Sequence, residues 1–424
     1  MLFAQKWFWV ESSLRIFTRF TYECILSIYK SCCLTKIFIS YLYTLNRDPM
    51  KLMWLLLSVI LLTSIFCSVI VYIHYNFKPE VSEEDFFFGV SFGGNTTSQA
   101  KLLIDKVKGY TNLFIINSWE TSINETALNE ICEYAVDAKM NFMVFFDYLS
   151  HIGYPWHLTW LDTAKERWEE EFLGVYLYDE PGGRQIDSGH WKGGDNDFFE
   201  KVSDYSEATE FFVTDISATW SIQDLKDRSI PAFTSDYALY WFDYLAGYDA
   251  VFVELGWNHS RTQQIALGRG AANVQDKEWG AIITWTYENP PYLENGTQIL
   301  EDMKTAYRAG AKYVIVFNYP QTNPYGILEE EHFNALETFW DMTRLPQQGS
   351  LEKVEGEVAF VLPKDYGWGM RRIDDNIWFP KWGSDNQSLL IWENMNKLIE
   401  RYGLKLDIIY DDPRFGFEEK YSNI

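Results

Sequence analysis

Eight short apolar runs, each followed by a polar or amphipathic stretch, constrain this chain more than any other feature. They fall at residues 86–90, 112–116, 141–146, 172–178, 231–235, 250–254, 280–285 and 312–317. An apolar run of this length, bounded by turn residues, reads as a strand buried on both faces, as in a parallel sheet. Between the runs lie helical patterns such as residues 97–108 and 128–139. Alternating units of this kind over residues 79–346 predict an α/β fold, a (β/α)8 barrel. Residues 211–214 (FFVT) are read as part of a long helical region between the fourth and fifth strands.

The fourth run, FLGVYLYDEP at residues 172–181, stops abruptly at Asp179 and Glu180. Acids at the end of a buried parallel strand lie at the carboxyl edge of the sheet, where α/β enzymes keep their chemistry. The other strand ends supply Trp119, Asp147, Asp236, Glu254, Trp257, Trp285, Tyr287, Glu288, Asn318 and Tyr319. The residues from 182 to 198 form a long polar stretch after Glu180, read as a loop of the kind that serves as a lid, with Gly183, Gly193 and Gly194 permitting movement.

Two carboxyl groups flanking one bond are what glycosidic cleavage needs: one protonates the leaving oxygen, and the other attacks the sugar carbon or activates water. Glu180 is read as the general acid/base, with Asp179 beside it to raise its pKa. Glu288 is read as the nucleophile. Glu254 and Asp236 can orient the nucleophile, bind sugar hydroxyls or substitute for it, and Asp147 and Asn318 join them as substrate-binding candidates. Trp119, Trp257, Trp285, Tyr178, Tyr287 and Tyr319 offer flat faces for sugar C–H surfaces.

These residues resemble the superfamily of retaining (β/α)8 glycoside hydrolases. There the acid/base glutamate follows strand four, often as Asn-Glu-Pro, and the nucleophile glutamate ends strand seven. Asp179-Glu180-Pro181 is similar to the first motif, with Asp in place of Asn, and Tyr287-Glu288 matches the second by position. Residues 347–424 carry a strand–helix–strand pattern that looks like the start of the flavodoxin-like domain found after the barrel in some β-galactosidase-type enzymes.

Ahead of the barrel, residues 52–75 contain no Asp, Glu, Lys or Arg and are long enough to span a bilayer. Arg47 and Lys51 precede the run, and Glu80, Glu83, Glu84 and Asp85 follow it. This charge order predicts a membrane anchor over residues 50–78 with the large domain outside the cell, or a secreted domain if the segment is cleaved as a signal. Residues 1–49 read as an upstream extension of the frame, with Met50 as the natural start, or else as a second, poor membrane helix. Five Asn-x-Ser/Thr triplets, at Asn95, Asn124, Asn258, Asn295 and Asn386, fit an extracytoplasmic glycosylated surface. Asn258 falls at the proposed mouth and is expected to be unmodified.

The net charge of −24 argues against nucleic acid and suits a neutral or cationic substrate. No metal or cofactor motif stands out, and the lone Cys132 beyond the anchor reads as a core residue. The expected partners are an oligo- or polysaccharide and the lipid bilayer. A second class fits the same residues: a catalytically inactive barrel that binds carbohydrate or a protein partner, in which one carboxylate is neutralised by an arginine such as Arg184.

Overall fold

The structure is a computed structural model and describes residues 86–147, 149, 153–188, 201–219, 222–320, 323–344 and 351–424. Residues 84–424 form one compact unit. The proposed extension and the apolar run at 52–75 lie outside the described residues. Among those described, no helix is long and apolar enough to cross a membrane.

Eight parallel strands close into a barrel in sequence order. They are β1 (Phe87–Phe92), β2 (Leu113–Ile116), β3 (Asn141–Phe146), β4 (Phe172–Leu177), β5 (Ala232–Asp236), β6 (Ala250–Leu255), β7 (Glu278–Ile283) and β8 (Tyr313–Val316). β1 pairs with both β2 and β8, which closes the ring. The longer helices that follow them are α1 (Thr97–Val107), α2 (Glu125–Asp137), α3 (Trp156–Trp168), α4 (Pro181–Ser188), α5 (Tyr205–Thr219), α6 (Ile222–Asp227), α7 (Tyr240–Ala246), α8 (Arg261–Val274), α9 (Gly296–Arg308) and α10 (Glu330–Arg344), and a single turn, Trp119–Ser122, precedes α2. The FFVT segment lies within α5.

The continuous apolar runs follow from a period of two with both faces buried. On β4, Tyr176 points into the barrel, while Val175 and Leu177 join the core under the helices. The interior is filled largely by rings: Tyr176, Phe233, Phe252 and Tyr313 pack together, with Phe233 and Phe252 stacked at 5.7 Å. Much of the chain's aromatic content is thus structural. Cys132 is buried in α2.

Helix starts are fixed by side-chain caps. Thr96, Asn124, Ser260 and Asn295 each accept a hydrogen bond from the backbone N–H three residues on. Capping accounts for Asn124 and Asn295 without any glycan.

Two expectations need correction. The seventh strand is Glu278–Ile283 rather than 280–285, because Glu278 pairs with Ala250 at its start. Trp285 and Glu288 therefore stand beyond the strand. The polar stretch after Glu180 opens as helix α4 rather than as a loop, and Gly183 is packed: a Cβ there would lie 2.2 Å from the Tyr237 ring. Residues 189–200, with Gly193 and Gly194, lie outside the described residues.

Beyond the barrel, β9 (Val358–Leu362) and β10 (Leu406–Tyr410) form a parallel pair joined through α11 (Asn386–Tyr402). The pair lies against α8, where Gly270 leaves room for the Ile408 carbonyl; a Cβ would approach it to 2.6 Å. Arg269 of α8 meets Asp407 of β10 at 2.7 Å.

Candidate active site

The tip of β4 turns sharply. Tyr178 and Glu180 both have left-handed backbones, with φ of 53° and 54°. Such residues cost roughly 1–3 kcal/mol each and persist only where neighbours hold them. Here β5 holds them: the Thr234 hydroxyl donates to the Tyr178 carbonyl at 2.6 Å, and the Glu180 N–H donates to the Ser235 carbonyl at 3.1 Å. Pro181 then opens α4, where its missing N–H is no loss. The N–H groups of Gly182 and Gly183 donate to Asp236 at 2.6 and 2.8 Å. Asp236 is fully buried, and its oxygens are taken up by this cap and by its own turn at Tyr237 and Ala238.

Behind Glu180 lies a polar network. The Tyr176 hydroxyl is within hydrogen-bond reach of Asp179 and 2.7 Å from Ser235 Oγ. The Ser235 hydroxyl donates to Glu254 Oε1 at 2.7 Å, with Asp179 Oδ1 3.3 Å away. Glu254 is 3% exposed, and its Oε2 has no hydrogen-bond partner. Arg184, one turn into α4, places Nε 4.0 Å from Glu180 Oε2 and its guanidinium 5.2 Å from the centre of the Tyr178 ring.

This crowding moves the acids upward. Burial first, then the negative charges of Asp179 and Asp236, push Glu180 up to about 8, while Arg184 and the neighbouring Glu254 pull the other way. Burial, Glu180 and Asp179 drive Glu254 well above the usual carboxylate range. Burial raises Asp179, and also Asp147, where Arg184 opposes the shift and Asp179 adds to it. Asp236 rises to about 7 through burial, against its four backbone donors. Asp243 of α7 is also fully buried beside Asp236, and burial and that neighbour hold its carboxyl well above the usual range. The two titrate as a pair that holds a proton above the usual carboxylate range.

The structure gathers Asp147, Asp179, Glu180 and Glu254 around β3, β4 and β6. Glu288 is exposed on the loop after β7, without a hydrogen bond or ion pair among the described residues. Trp119, Trp257, Tyr287 and Tyr319 are the large aromatic side chains that stay exposed among the described residues, and all four follow strand ends on this rim. The Tyr287 hydroxyl donates to Glu294 at 2.8 Å. Trp285 is half-buried against Tyr292, Phe317 and Tyr319. Asn318 is buried, and its Oδ1 accepts from the Ile327 N–H at 3.0 Å, so it braces the loop after β8. Trp257 and Asn258 are both left-handed, with φ of 48° and 58°.

Several residues of the site carry no sequence signal. Ser235 and Tyr176 are ordinary strand residues by pattern. Arg371 comes from the segment between β9 and α11, yet it binds Asp187 of α4 at 2.7 Å and Asp375 at 2.8 Å, and it stacks 5.2 Å from the Tyr237 ring centre. The Tyr237 hydroxyl donates to the same Asp187 at 2.8 Å. Asn376 adds a bond to the Ile186 carbonyl at 2.9 Å, and Gln185 bonds the Phe379 carbonyl. The helix that carries Glu180 at its start is thus clamped from a segment nearly two hundred positions away. Among the described residues, no three side chains converge as metal ligands.

No family model matches the sequence, and no curated protein is similar to it. Among solved structures, a β-galactosidase from the haloarchaeon Halorubrum lacusprofundi is similar at a TM-score of 0.48 and 11% identity, over 79% of this chain and 68% of that one. An endo-1,4-β-mannanase from Rhizomucor miehei gives 0.39 and 11%, over 60% and 94%. A 3-hexulose-6-phosphate synthase from Salmonella typhimurium gives 0.31 and 13%, over 60% and 100%. Sugar-cleaving and other barrels appear side by side, so the functional reading rests on the site.

Proposed function

We propose that the protein is a glycoside hydrolase, or a transglycosylase of the same mechanism, with Glu180 as general acid/base. One observation carries this reading: a carboxyl that reaches solvent at the tip of β4, held in a left-handed turn and raised to about 8. A proton donor working near neutral pH must keep its proton until the leaving oxygen takes it. Glu180 has a side chain 28% exposed, so it can both hold that proton and meet a substrate.

Glu180 protonates the glycosidic oxygen as the bond to the sugar carbon breaks. Glu288, on the open β7 side, attacks that carbon and forms a glycosyl ester. Glu180, now a carboxylate, takes a proton from water, which hydrolyses the ester and frees the nucleophile. The exposed aromatic rim supports binding of a sugar chain. The apolar run at 52–75 supports an anchored enzyme whose catalytic unit faces outward.

A second reading is favoured by Glu254, whose Oε2 is buried without a partner next to Glu180: there, Glu254 is the second carboxylate and Ser235 orients it. The inactive binding barrel draws support from Arg184, at 4.0 Å from Glu180. A panel of aryl glycosides offered to the whole chain separates the three. Glu180→Gln is expected to lower turnover roughly 10²–10⁴-fold while leaving oligosaccharide binding in place. Whichever of Glu288→Gln and Glu254→Gln abolishes turnover marks the nucleophile. Oligosaccharide binding with no turnover on any substrate supports the inactive barrel.

A further inference from the structure

We propose that the site takes a sugar that carries a positive charge, an amino sugar with a free ammonium group seated against Glu180 and Glu254. The inference rests on the hydrolase reading for the place where the sugar sits, and it adds the class of sugar.

The first observation is an imbalance. Among the described residues, Asp147, Asp179, Glu180 and Glu254 share a single nearby guanidinium, that of Arg184, which stands 4.0 Å from Glu180. The next cations along the rim are already matched. Arg261 lies 3.2 Å from Asp302, and Arg371 lies 2.7 Å from Asp187 and 2.8 Å from Asp375. An excess of acid can be relieved by protons alone, so the imbalance does not by itself call for a ligand.

The second observation is Glu254. One of its oxygens takes the Ser235 hydroxyl at 2.7 Å, and the other is buried beside the Glu180 carboxyl, where the one donor is a proton that the two acids share. What the pair lacks is a donor that also carries charge. A neutral sugar hydroxyl supplies only the donor. An ammonium group supplies three N–H donors and a unit of positive charge, and its hydrogen bonds to carboxylates are of the strong, charge-assisted kind. Among the described residues no set of side chains is arranged to hold a metal ion, which favours an organic cation. The exposed Trp257 and Tyr319 faces accept either the C–H side of a sugar ring or a cation.

In the free protein, burial and mutual repulsion with Asp179 keep protons on Glu180 and Glu254. An ammonium takes the place of the proton on Glu254 and leaves Glu180 protonated for its role as donor. Binding of the charged sugar therefore releases a proton, and binding of its neutral counterpart does not.

The test is calorimetry on the whole chain with the methyl glycosides of glucosamine, galactosamine and mannosamine, in both anomers. Each is compared with its N-acetyl and 2-hydroxy counterparts, at a pH where the amine is charged and in two buffers of different ionisation heat. At least one amine is expected to bind about tenfold or more tightly than its neutral counterparts. It should lose that advantage in high salt and release a proton. Glu254→Gln should remove the preference and the proton release. Salt dependence in the unaltered protein keeps the test open if that variant does not fold. Equal or tighter binding of every neutral counterpart, a preference that survives both Glu254→Gln and high salt, or no binding of any amine overturns the proposal. Neutral glycosides turned over while no amine binds leaves the hydrolase and removes the charged substrate. Amine binding without any turnover does the reverse.

Discussion

Asp407 and Glu254 are both hidden from solvent, at 0% and 3% exposed, yet their surroundings are opposite. Asp407 sits where the C-terminal strands meet the barrel. It receives Arg269 at 2.7 Å, Asn273 at 3.0 Å and Tyr421 at 2.9 Å. Arg269 spends its remaining donors on the carbonyls of Ala309, Val354, Leu404 and Leu406, at 3.4, 2.9, 2.5 and 3.1 Å. Every charge there has its answer within the fold. Glu254 has one hydroxyl, two acids nearby and an oxygen left over. A buried acid whose charge is fully answered joins two parts of a structure; one surrounded by other acids keeps a proton instead, which is the behaviour that marks candidate functional groups.

The comparison can be broken most forcefully at Arg269. Arg269→Leu leaves Asp407 buried without its cation and should lower unfolding free energy by about 3–5 kcal/mol. Urea melts measure this, and the pH profile of turnover should not move. A shifted profile in a folded variant would mean that the two regions are not separate. Next in size is Gly183→Ala, whose methyl meets the Tyr237 ring at 2.2 Å. It should cost about 1–3 kcal/mol in stability and lower kcat more than it raises KM, because it displaces the helix start beside Glu180.

The acid cluster itself sharpens the contrast through pH. Glu180, Asp236, Asp243 and Glu254 all have folded-state pKa values above those of an unfolded chain. The folded protein thus binds more protons than the unfolded one above the ordinary carboxylate range. The Glu180 contribution is fully present below pH about 4 and is lost as pH rises through about 8. The melting temperature should fall across that window, and Asp243→Asn should flatten the slope. Turnover should also decline as pH rises through about 8, where Glu180 loses its proton. The smallest effect belongs to the rim. Tyr319→Ala and Trp257→Ala should each raise KM roughly three- to tenfold with melting unchanged.

The barrel was legible because a parallel strand buried on both faces leaves an apolar run that little else produces. The Glu180 turn was legible too: an apolar run that ends in two acids, a proline and two glycines marks a strand tip set with carboxylates. Gly183 was misread, since a sequence does not distinguish freedom to move from a need for close packing, and Gly183 answers the second. Asp236 looked like a site acid because it ends a strand, whereas the fold uses it to cap α4. The end of β7 was read two residues late, because TWTY continues an apolar pattern past the point where pairing with β6 stops at Ile283. Ser235 and Arg371 act through neighbours brought together only by closure of the barrel and by the packing of the C-terminal segment, and no local spacing encodes that.

The clamp of Arg371, Asn376 and Phe379 on α4 bears on how this chain can be cut and recombined. A gene fragment ending after α10 would encode all eight strands and every acid of the cluster. It would still leave the helix behind Glu180 without its outer brace. Anyone who shortens the protein for crystallisation, or grafts its barrel onto another tail, has to carry residues 363–385 along as part of the working site.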